Sequence, residues 1–477
     1  MHQALLIPEV LLEIFVHVTE TILKPFGPAG NIVILLYRES LAALATTCKA
    51  FHDPAMDLLW GEIDIESLLG CVTRLHPLMY CSGRLWNWAE GVRPLSADEV
   101  HQFLLIPAEL YDFPRLKSLT ISTKYLNLFL SHTLHRRYLV TVDEDLRSIV
   151  TCCATLEHLN VITPDAANAI DSTSDALSRI SDIVRSCKQL VTLSCPLFDW
   201  AAWRHLSNLP TLTRLDVGDT RSDPAPPWPL ERDIANFSPF SNITALSFLL
   251  HSAAYAITVM QHSQFPSLKE FKMDVDFLPL PEAEQLFRAL SNCKACETLE
   301  KIRVYSSYHK YDPQNNSLSA IPHFHCFTHL RTLHLACFDF CINLDDNILL
   351  EAMSTWPHMH DLEIDDLRLH HSPITFRGIF TAIRLCPQLH TLRVPIDSTT
   401  FNIDVEPTQH TFLRVLELKT PMFQIANAEA LARIIFSCLP RIDRILGSIQ
   451  CDWDEVNMHI KSLKDAALHV TGAASNT

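Results

Sequence analysis

A six-residue pattern, L-x-x-L-x-L, recurs twelve times along the chain and constrains the fold more than any other feature. One copy carries Leu116, Leu119 and Ile121 at its three apolar positions. The last two apolar positions alternate with polar residues, which is the periodicity of a β-strand. The pattern therefore predicts twelve strands, each with one apolar side. The other copies begin at Leu156, Leu190, Leu212, Ile243, Leu268, Leu299, Leu330, Met359, Leu389, Leu413 and Ile442.

Helical stretches separate the copies. They carry apolar residues three and four positions apart, as in Glu282–Cys293, Asp346–Thr355, Thr375–Cys386 and Asn427–Cys438. One strand and one helix per unit is the pattern of a leucine-rich repeat. Neighbouring copies start between 22 and 40 residues apart, so the repeat is irregular. The predicted fold class is α/β, with a parallel sheet on the concave side of a horseshoe and helices on its convex side.

A single copy cannot fold by itself. Burying three apolar side chains contributes roughly 5–9 kcal/mol, and ordering the rest of the unit costs several times more. Stacked copies share one core, which removes this difficulty. Two positions depart from the pattern: Gly447 takes an apolar position, and His410 stands where most copies have Phe, Cys, Leu or Trp. Chance repetition in a leucine-rich chain is the alternative, which twelve in-phase copies disfavour.

Composition narrows the functional classes. The chain has 477 residues and a formal net charge of −16, which disfavours binding to nucleic acid through phosphates. Nucleotide-binding glycine loops and the Gly-x-Ser-x-Gly elbow are absent from the sequence. The N-terminus lacks the features of a secretory signal, and no apolar run is long enough to predict a membrane span. These observations, with fifteen cysteines, favour a cytoplasmic or nuclear protein with reduced thiols.

Residues 6–63 do not follow the repeat and carry two apolar stripes at helical spacing, ending in Leu59-Trp60. The segment resembles the F-box, a helical module that opens Leu-Pro-x-Glu-Ile-Leu-x-x-Ile-Phe. Residues 7–15 match that opening with one residue fewer after the proline, and residues 19–38 form a longer connection than the family has. The order of modules resembles fungal-type F-box proteins with C-terminal leucine-rich repeats. The matching residues are Ile7, Pro8, Leu11, Ile14, Phe15, Leu44, Cys48, Phe51, Leu59 and Trp60.

The resemblance implies a partner and a role. F-boxes dock on the Skp-family adaptor of cullin-based ubiquitin ligases, so the ten matching residues are expected to form the adaptor-binding surface. The chain would then be a substrate receptor without catalytic residues, cofactor or metal. Physical reasoning points the same way, because so small a module has more apolar surface than it can cover itself. The alternatives are that this surface packs on the repeat array as a cap, or that the array is a scaffold outside any ligase.

Four segments follow from these patterns. Residues 1–63 are the F-box module with its insert at about 19–38, and 64–112 form an ordered bridge that caps the first repeat. Residues 113–450 are the repeat array. Residues 451–477 are a C-terminal cap and tail, with disorder expected from Thr471.

Polar residues between the apolar positions are expected to project from the sheet and to meet the target protein. A basic cluster (Lys272, Lys301, Arg303) is followed two repeats later by an acidic one (Asp361, Glu363, Asp365). Parallel strands lie about 4.8 Å apart, so the clusters would be about 10 Å from each other and could recognise a charged peptide. The alternative is a solvated face whose charges neutralise one another.

Two long segments between copies are further candidates for target binding. Asp219–Phe240 is rich in proline, and Tyr305–Phe327 contains Tyr308 and Tyr311 as aromatic anchors. The alternative is that both are variable surface insertions. Among metal-like motifs, Cys293-x-x-Cys296 lacks a second cysteine pair and is better explained by packing. His323-x-His325 and His358-x-His360 have no third ligand in a defined relation to them.

Overall fold

The structure of the protein is a computed structural model. It describes residues 51, 55, 62–64, 117–122, 155–162, 174–218, 237–307, 317–337, 339–365, 374–396, 409–419, 428–447 and 453–474. The chain divides into two compact units, residues 1–212 and 213–477.

The first unit contains four parallel strands in chain order. They are β1 (Glu62–Asp64), β2 (Ser118–Ser122), β3 (His158–Ile162) and β4 (Thr192–Cys195), with helices α1 (Ser174–Ser186) before β4 and α2 (Trp200–Ser207) after it. Leu119, Leu159 and Leu193 lie opposite one another in the strand register and are buried. The repeat pattern predicts three of these strands. It misses β1, a three-residue strand that straddles the expected boundary at residue 63.

The second unit is also α/β, and its described residues include nine parallel strands of one sheet. Their spatial order follows the chain, β5-β6-β7-β8-β10-β12-β13-β14-β15. The strands are β5 (Arg214–Gly218), β6 (Ala245–Ser252), β7 (Glu270–Phe277), β8 (Lys301–Ser306), β10 (Thr332–Ala336), β12 (Asp361–Asp365), β13 (Thr391–Pro395), β14 (Val415–Lys419) and β15 (Arg444–Gly447). A separate two-stranded pair joins β9 (Ser317–Leu318) to β11 (Cys341–Ile342).

Helices lie in many of the crossovers between parallel strands of the second unit, and one more follows the last strand. They are α3 (Ala254–His262), α4 (Leu280–Asn292), α5 (Asp346–Thr355), α6 (Phe376–Ile383), α7 (Ala428–Cys438) and α8 (Asp454–Ala474). The sequence prediction is confirmed for α5 at both ends and is within a few residues for α4, α6 and α7. The expected disorder from Thr471 is wrong for 471–474, which continue α8; Ala473 and Ala474 favour helix.

The core lies on the apolar side of the sheet. Leu215, Leu246, Phe271, Ile302 and Leu333 occupy equivalent places on successive strands, and each is at most 1% exposed. The helices add buried residues of their own. Short polar contacts start two of them: Ile348 N donates to Asp345 Oδ1 (2.7 Å), and Gly378 N donates to Thr375 Oγ1 (3.1 Å).

Both departures from the repeat have a structural reason. At Gly447, a Cβ atom would collide with the indole ring of buried Trp453, which fills the missing side chain's place. Buried His410 accepts a hydrogen bond from Leu413 N at Nδ1 (3.1 Å), so Nε2 carries the proton and donates to Cys386 O (2.9 Å). The histidine therefore joins its own repeat to the preceding one through polar contacts.

The last strand is covered by the C-terminal helix. Asn457 of α8 accepts from Ile445 N (2.9 Å) and donates to Ile445 O (2.8 Å). These two bonds replace the ladder partner that a further strand would provide. Residues 453–474 therefore cap the array, as the sequence predicts for this segment.

Candidate target-binding surface

One side of the second unit's sheet carries the candidate residues. Along β8 the burial alternates, with Lys301, Arg303 and Tyr305 exposed and the residues between them buried. Arg303 lies opposite Lys272 of β7 on one side and His334 of β10 on the other. We call this side of the sheet in residues 213–477 the open face.

The register continues to the acidic residues. His334 lies opposite Glu363 of β12, which lies opposite Arg393 of β13, which in turn lies opposite Glu417 of β14. Arg303 and Glu363 are thus two strands apart, which matches the separation of about 10 Å expected from strand spacing. The basic and acidic clusters do share one face.

The acidic half of the open face has its charge partly compensated by one arginine. Arg393 contacts Glu417 Oε2 through Nη2 (2.7 Å) and Nε (2.8 Å). Its Nη1 lies 3.6 Å from Glu363 Oε2 and 3.9 Å from Asp365 Oδ2. One guanidinium therefore contacts three carboxylates, so it compensates only part of their negative charge. For Glu363 and Asp365, the alternative of self-neutralising charges therefore holds only in part.

His334 connects the two halves. Its Nε2 lies 3.4 Å from Glu363 Oε2, and its side chain is partly buried. Burial lowers the pKa of His334 below 6.5; Glu363 and Asp365 oppose that change, whereas Arg393 and Arg303 reinforce it. The imidazole is therefore biased toward its neutral form, and the field around it is set by both clusters.

The basic half has a different arrangement. Lys272 Nζ contacts Asp274 Oδ2 on its own strand (2.7 Å). Lys301 and Arg303 are exposed, and in the part of the chain that the structure describes no carboxylate lies within 4 Å of either. Two of the three predicted basic residues therefore keep their charge available to solvent or a ligand.

Tyr305 is a further candidate for target binding, and the sequence pattern assigns it to the long segment after the strand. It is the last exposed residue of β8 before the strand ends, and it is 40% exposed. Extending the alternation of Lys301 and Arg303 by two further residues would have found it. Tyr308 and Tyr311, the anchors named from the sequence, lie outside the described residues.

Residues 317–327 of the long Tyr305–Phe327 segment belong to the folded array. Residues 317–318 form β9, and Phe324 and Phe327 are fully buried. Trp356 Nε1 donates to Phe324 O (3.2 Å), which ties this segment to the end of α5. Of the other long segment, Phe240 is buried against Phe265 with ring centroids 5.1 Å apart. Residues 219–236 lie outside the described residues.

Cys293, the first residue of the Cys293-x-x-Cys296 pair, is a packing residue. Cys293 is 3% exposed, and burial raises the pKa of its thiol to about 11. Burial likewise raises the pKa of Cys326 to about 12, and Cys296 and Cys293 act in the same direction. Such thiols stay protonated, which disfavours thiolate chemistry. Among the described residues, no group of three or more His, Cys, Asp and Glu is arranged to hold a metal ion.

A second charged cluster lies where β7, β8 and β10 begin. Glu300 stands between Lys269 (3.9 Å) and Arg331 (3.8 Å), so opposite charges alternate from strand to strand. The pocket there has a volume of about 300 Å³ and is lined by Lys269, Glu297, Thr298, Glu300, His329, Arg331 and His358. Alternating charges give this edge no field of one sign.

The expected adaptor-binding residues fall largely outside the described part of the chain. Phe51 is described and lies in a helix, as does buried Ala55. Ile7, Pro8, Leu11, Ile14, Phe15, Leu44, Cys48, Leu59 and Trp60 lie outside it, as do residues 19–38. No helix among the described residues combines the length and the apolar character that crossing a membrane requires.

Comparison with known proteins adds no assignment. The chain matches no protein-family model, and no curated protein resembles it.

Proposed function

We propose that the protein is the substrate-recognition subunit of a Skp–cullin–F-box ubiquitin ligase. The F-box-like residues 7–60 would dock on the Skp-family adaptor, and the repeat array, a leucine-rich horseshoe, would bind the target protein. The observation that carries the proposal is the order of modules. A segment resembling the F-box precedes a parallel array in which every one of the twelve repeat copies supplies a strand.

The continuity of the first unit supports this reading. Helical residues at 51 and 55 are followed by β1, which pairs in parallel with β2 of the first repeat. The F-box-like segment thus leads into the sheet within a few residues of Trp60. A receptor of this kind performs no chemistry. It raises the effective concentration of a target lysine near a conjugating enzyme, because one chain carries both the adaptor-binding and the target-binding module.

The open face supports target binding at the basic half. Lys301 and Arg303 expose charge, whereas Glu363 and Asp365 contact Arg393. The proposed target-binding residues are therefore Lys301 and Arg303, with Tyr305 beside them. Lys272, Asp361, Glu363 and Asp365 shape the field of that surface, and Tyr308 and Tyr311 remain predicted contacts.

Co-purification with the Skp adaptor tests the proposal. The tagged chain should retain the adaptor through gel filtration, and changing Leu11 and Trp60 together to Ala should abolish that association. Leu12→Ala is the matched control, because Leu12 lies off the predicted stripe. Circular dichroism and thermal melting should show the array still folded in all three proteins.

An adaptor that never co-purifies with the folded parent chain would refute the ligase role. The array would then be an interaction scaffold outside a ligase. Association that survives the double change at Leu11 and Trp60 would instead refute the assignment of those two residues.

A further inference from the structure

The exposed side of β8 has a regular chemical sequence of cation, cation and aromatic ring. Lys301, Arg303 and Tyr305 alternate with the buried residues Ile302 and Val304. A β-strand rises about 3.3 Å per residue, so these three side chains leave the sheet about 7 Å apart along one line. The strand therefore offers evenly spaced contacts to anything that lies along it in an extended conformation.

The nearby cations Arg214, Lys272 and Arg393 of the open face are already engaged. Lys272 contacts Asp274, and Arg214 contacts Asp216 at 2.9 Å. Arg393 holds the carboxylate groups described above. Lys301 and Arg303 thus differ from these neighbours in presenting charge outward. The chain as a whole has a net charge of −16, which repels acidic ligands. An acidic ligand is therefore favoured only where positive charge is exposed locally.

Apolar surface lies at the same end of the strands as Tyr305. Leu249 of β6, Asp274 of β7 and Tyr305 of β8 occupy one row in the strand register. Leu249 is 48% exposed and Tyr305 is 40% exposed. Their row is two residues beyond that of Arg303. An aliphatic side chain placed over Tyr305 would cover part of this apolar surface.

We propose that β8 binds an extended acidic segment of a partner protein, with two carboxylates two residues apart on Lys301 and Arg303 and an apolar side chain over Tyr305. This inference rests on the proposed function in one respect, that the segment belongs to a ligase target. An extended peptide has the same side-chain spacing as β8, so all three contacts form without bending. Charge-assisted contacts at Lys301 and Arg303 then add to the apolar one.

Two separate carboxylates fit the geometry better than one phosphate. A phosphate group is held most firmly when several donors converge on one point, as a backbone loop arranges them. Lys301 and Arg303 instead leave the strand in parallel, about 7 Å apart. Their spacing distributes positive charge along a line, which matches an Asp-x-Asp or Glu-x-Glu run.

Fluorescence polarisation with labelled twelve-residue peptides tests the proposal on the full chain. Peptides containing Asp-x-Asp-x-Leu and the reverse order Leu-x-Asp-x-Asp allow either direction along β8. At least one should bind about tenfold or more tightly than its Asp-to-Asn counterpart, since it makes two charge-assisted contacts. Added salt should weaken the binding.

Variants locate the site. Changing Lys301 and Arg303 together to Ser should bring the acidic peptide to the affinity of its Asn counterpart. Tyr305→Ser should remove the preference for Leu over Ser at the apolar position. Arg444→Ser is the matched control, because Arg444 is an exposed cation in the same row of the open face as Lys301, at the far strand β15. It should leave the affinity unchanged, and thermal melts should show every variant folded.

Several results would overturn the inference. One is equal affinity of the chain for the acidic peptide and its Asn counterpart, and another is a loss of affinity on Arg444→Ser as large as on the double change at Lys301 and Arg303. The others are tighter binding of a phosphoserine peptide than of the acidic peptide, or binding of a single-stranded oligonucleotide with the same affinity as the acidic peptide. Co-purification with the Skp adaptor tests the ligase role independently of peptide binding. Peptide binding without adaptor co-purification removes the ligase role alone, and adaptor co-purification without peptide binding removes the acidic-segment site alone.

Discussion

The two sides of the second unit's sheet differ in how closely each strand resembles the next. On the core side, equivalent positions carry Leu, Phe or Ile on strand after strand, and each is buried. On the open face, one register row reads Lys272, Arg303, His334, Glu363 and Arg393. Uniformity on one side is what lets the units stack. Residues on the open face do not have to stack in this way, so they can vary from strand to strand and provide binding specificity.

Removing a core-side leucine should have the largest effect on stability. Leu333 of β10 is fully buried between Ile302 and Leu362 in the strand register. Leu333→Ala should lower the free energy of unfolding by about 2–5 kcal/mol, because it leaves a cavity in the shared core. Arg303→Ser, on the open face, should change it by no more than about 0.5 kcal/mol. Urea unfolding followed by circular dichroism measures both, and similar losses would contradict the distinction between the two sides.

The same comparison explains what the sequence could and could not predict. Apolar periodicity located all twelve strands of the repeat, because burial on one side leaves an unambiguous alternation at positions such as Leu246 and Phe248. It missed β1 and the β9–β11 pair, since strands of two or three residues are too short to show a period.

Open-face chemistry was only partly predictable. Sequence spacing placed Lys301, Arg303 and Glu363 on one face, which the register bears out. It did not show that Arg393 contacts both Glu363 and Glu417. Such ion pairs depend on how far a side chain reaches across neighbouring strands, which position along the chain does not reveal. The role of Gly447 was also hidden, since the ring that fills its place comes from Trp453 beyond the last strand.

Gly378 of α6 lies against α5, so a larger side chain at this position tests how closely the two helices pack. The Asp346 carboxylate accepts from Thr375 N (2.8 Å) and Thr375 Oγ1 (2.7 Å), and a Cβ atom on Gly378 would collide with it. Gly378→Ala should therefore lower the free energy of unfolding by about 1–3 kcal/mol. Adding Asp346→Ala should cost less than the sum of the two single changes, since it removes the collision. Strict additivity in the double-mutant cycle would contradict this explanation.

Arg393 sharpens the comparison within the open face itself. Arg393→Met should lower the free energy of unfolding by about 1–2 kcal/mol, because Glu363, Asp365 and Glu417 would lose their shared cation. Arg444→Met, which removes an exposed cation from the same face, should change it by no more than about 0.5 kcal/mol. Guanidinium would screen these charges, so urea is the appropriate denaturant. Equal effects of the two variants would show that the Arg393 cluster adds no stability.

The smallest expected effect concerns pH and His334. Burial lowers the pKa of His334 in the folded chain below 6.5, so the unfolded chain takes up this proton first as the pH falls. The unfolded state then binds more protons than the folded state, and the free energy of unfolding falls. His334→Gln removes that contribution. Between about pH 7.5 and 5.5, a range spanning the ordinary histidine pKa, the parent chain should lose more stability than the variant. Urea unfolding at several pH values measures the difference. Burial, Arg303 and Arg393 lower the pKa of His334, whereas Glu363 and Asp365, which face the imidazole from β12, raise it. Parallel pH profiles of the parent chain and the variant would mean that these opposing effects cancel.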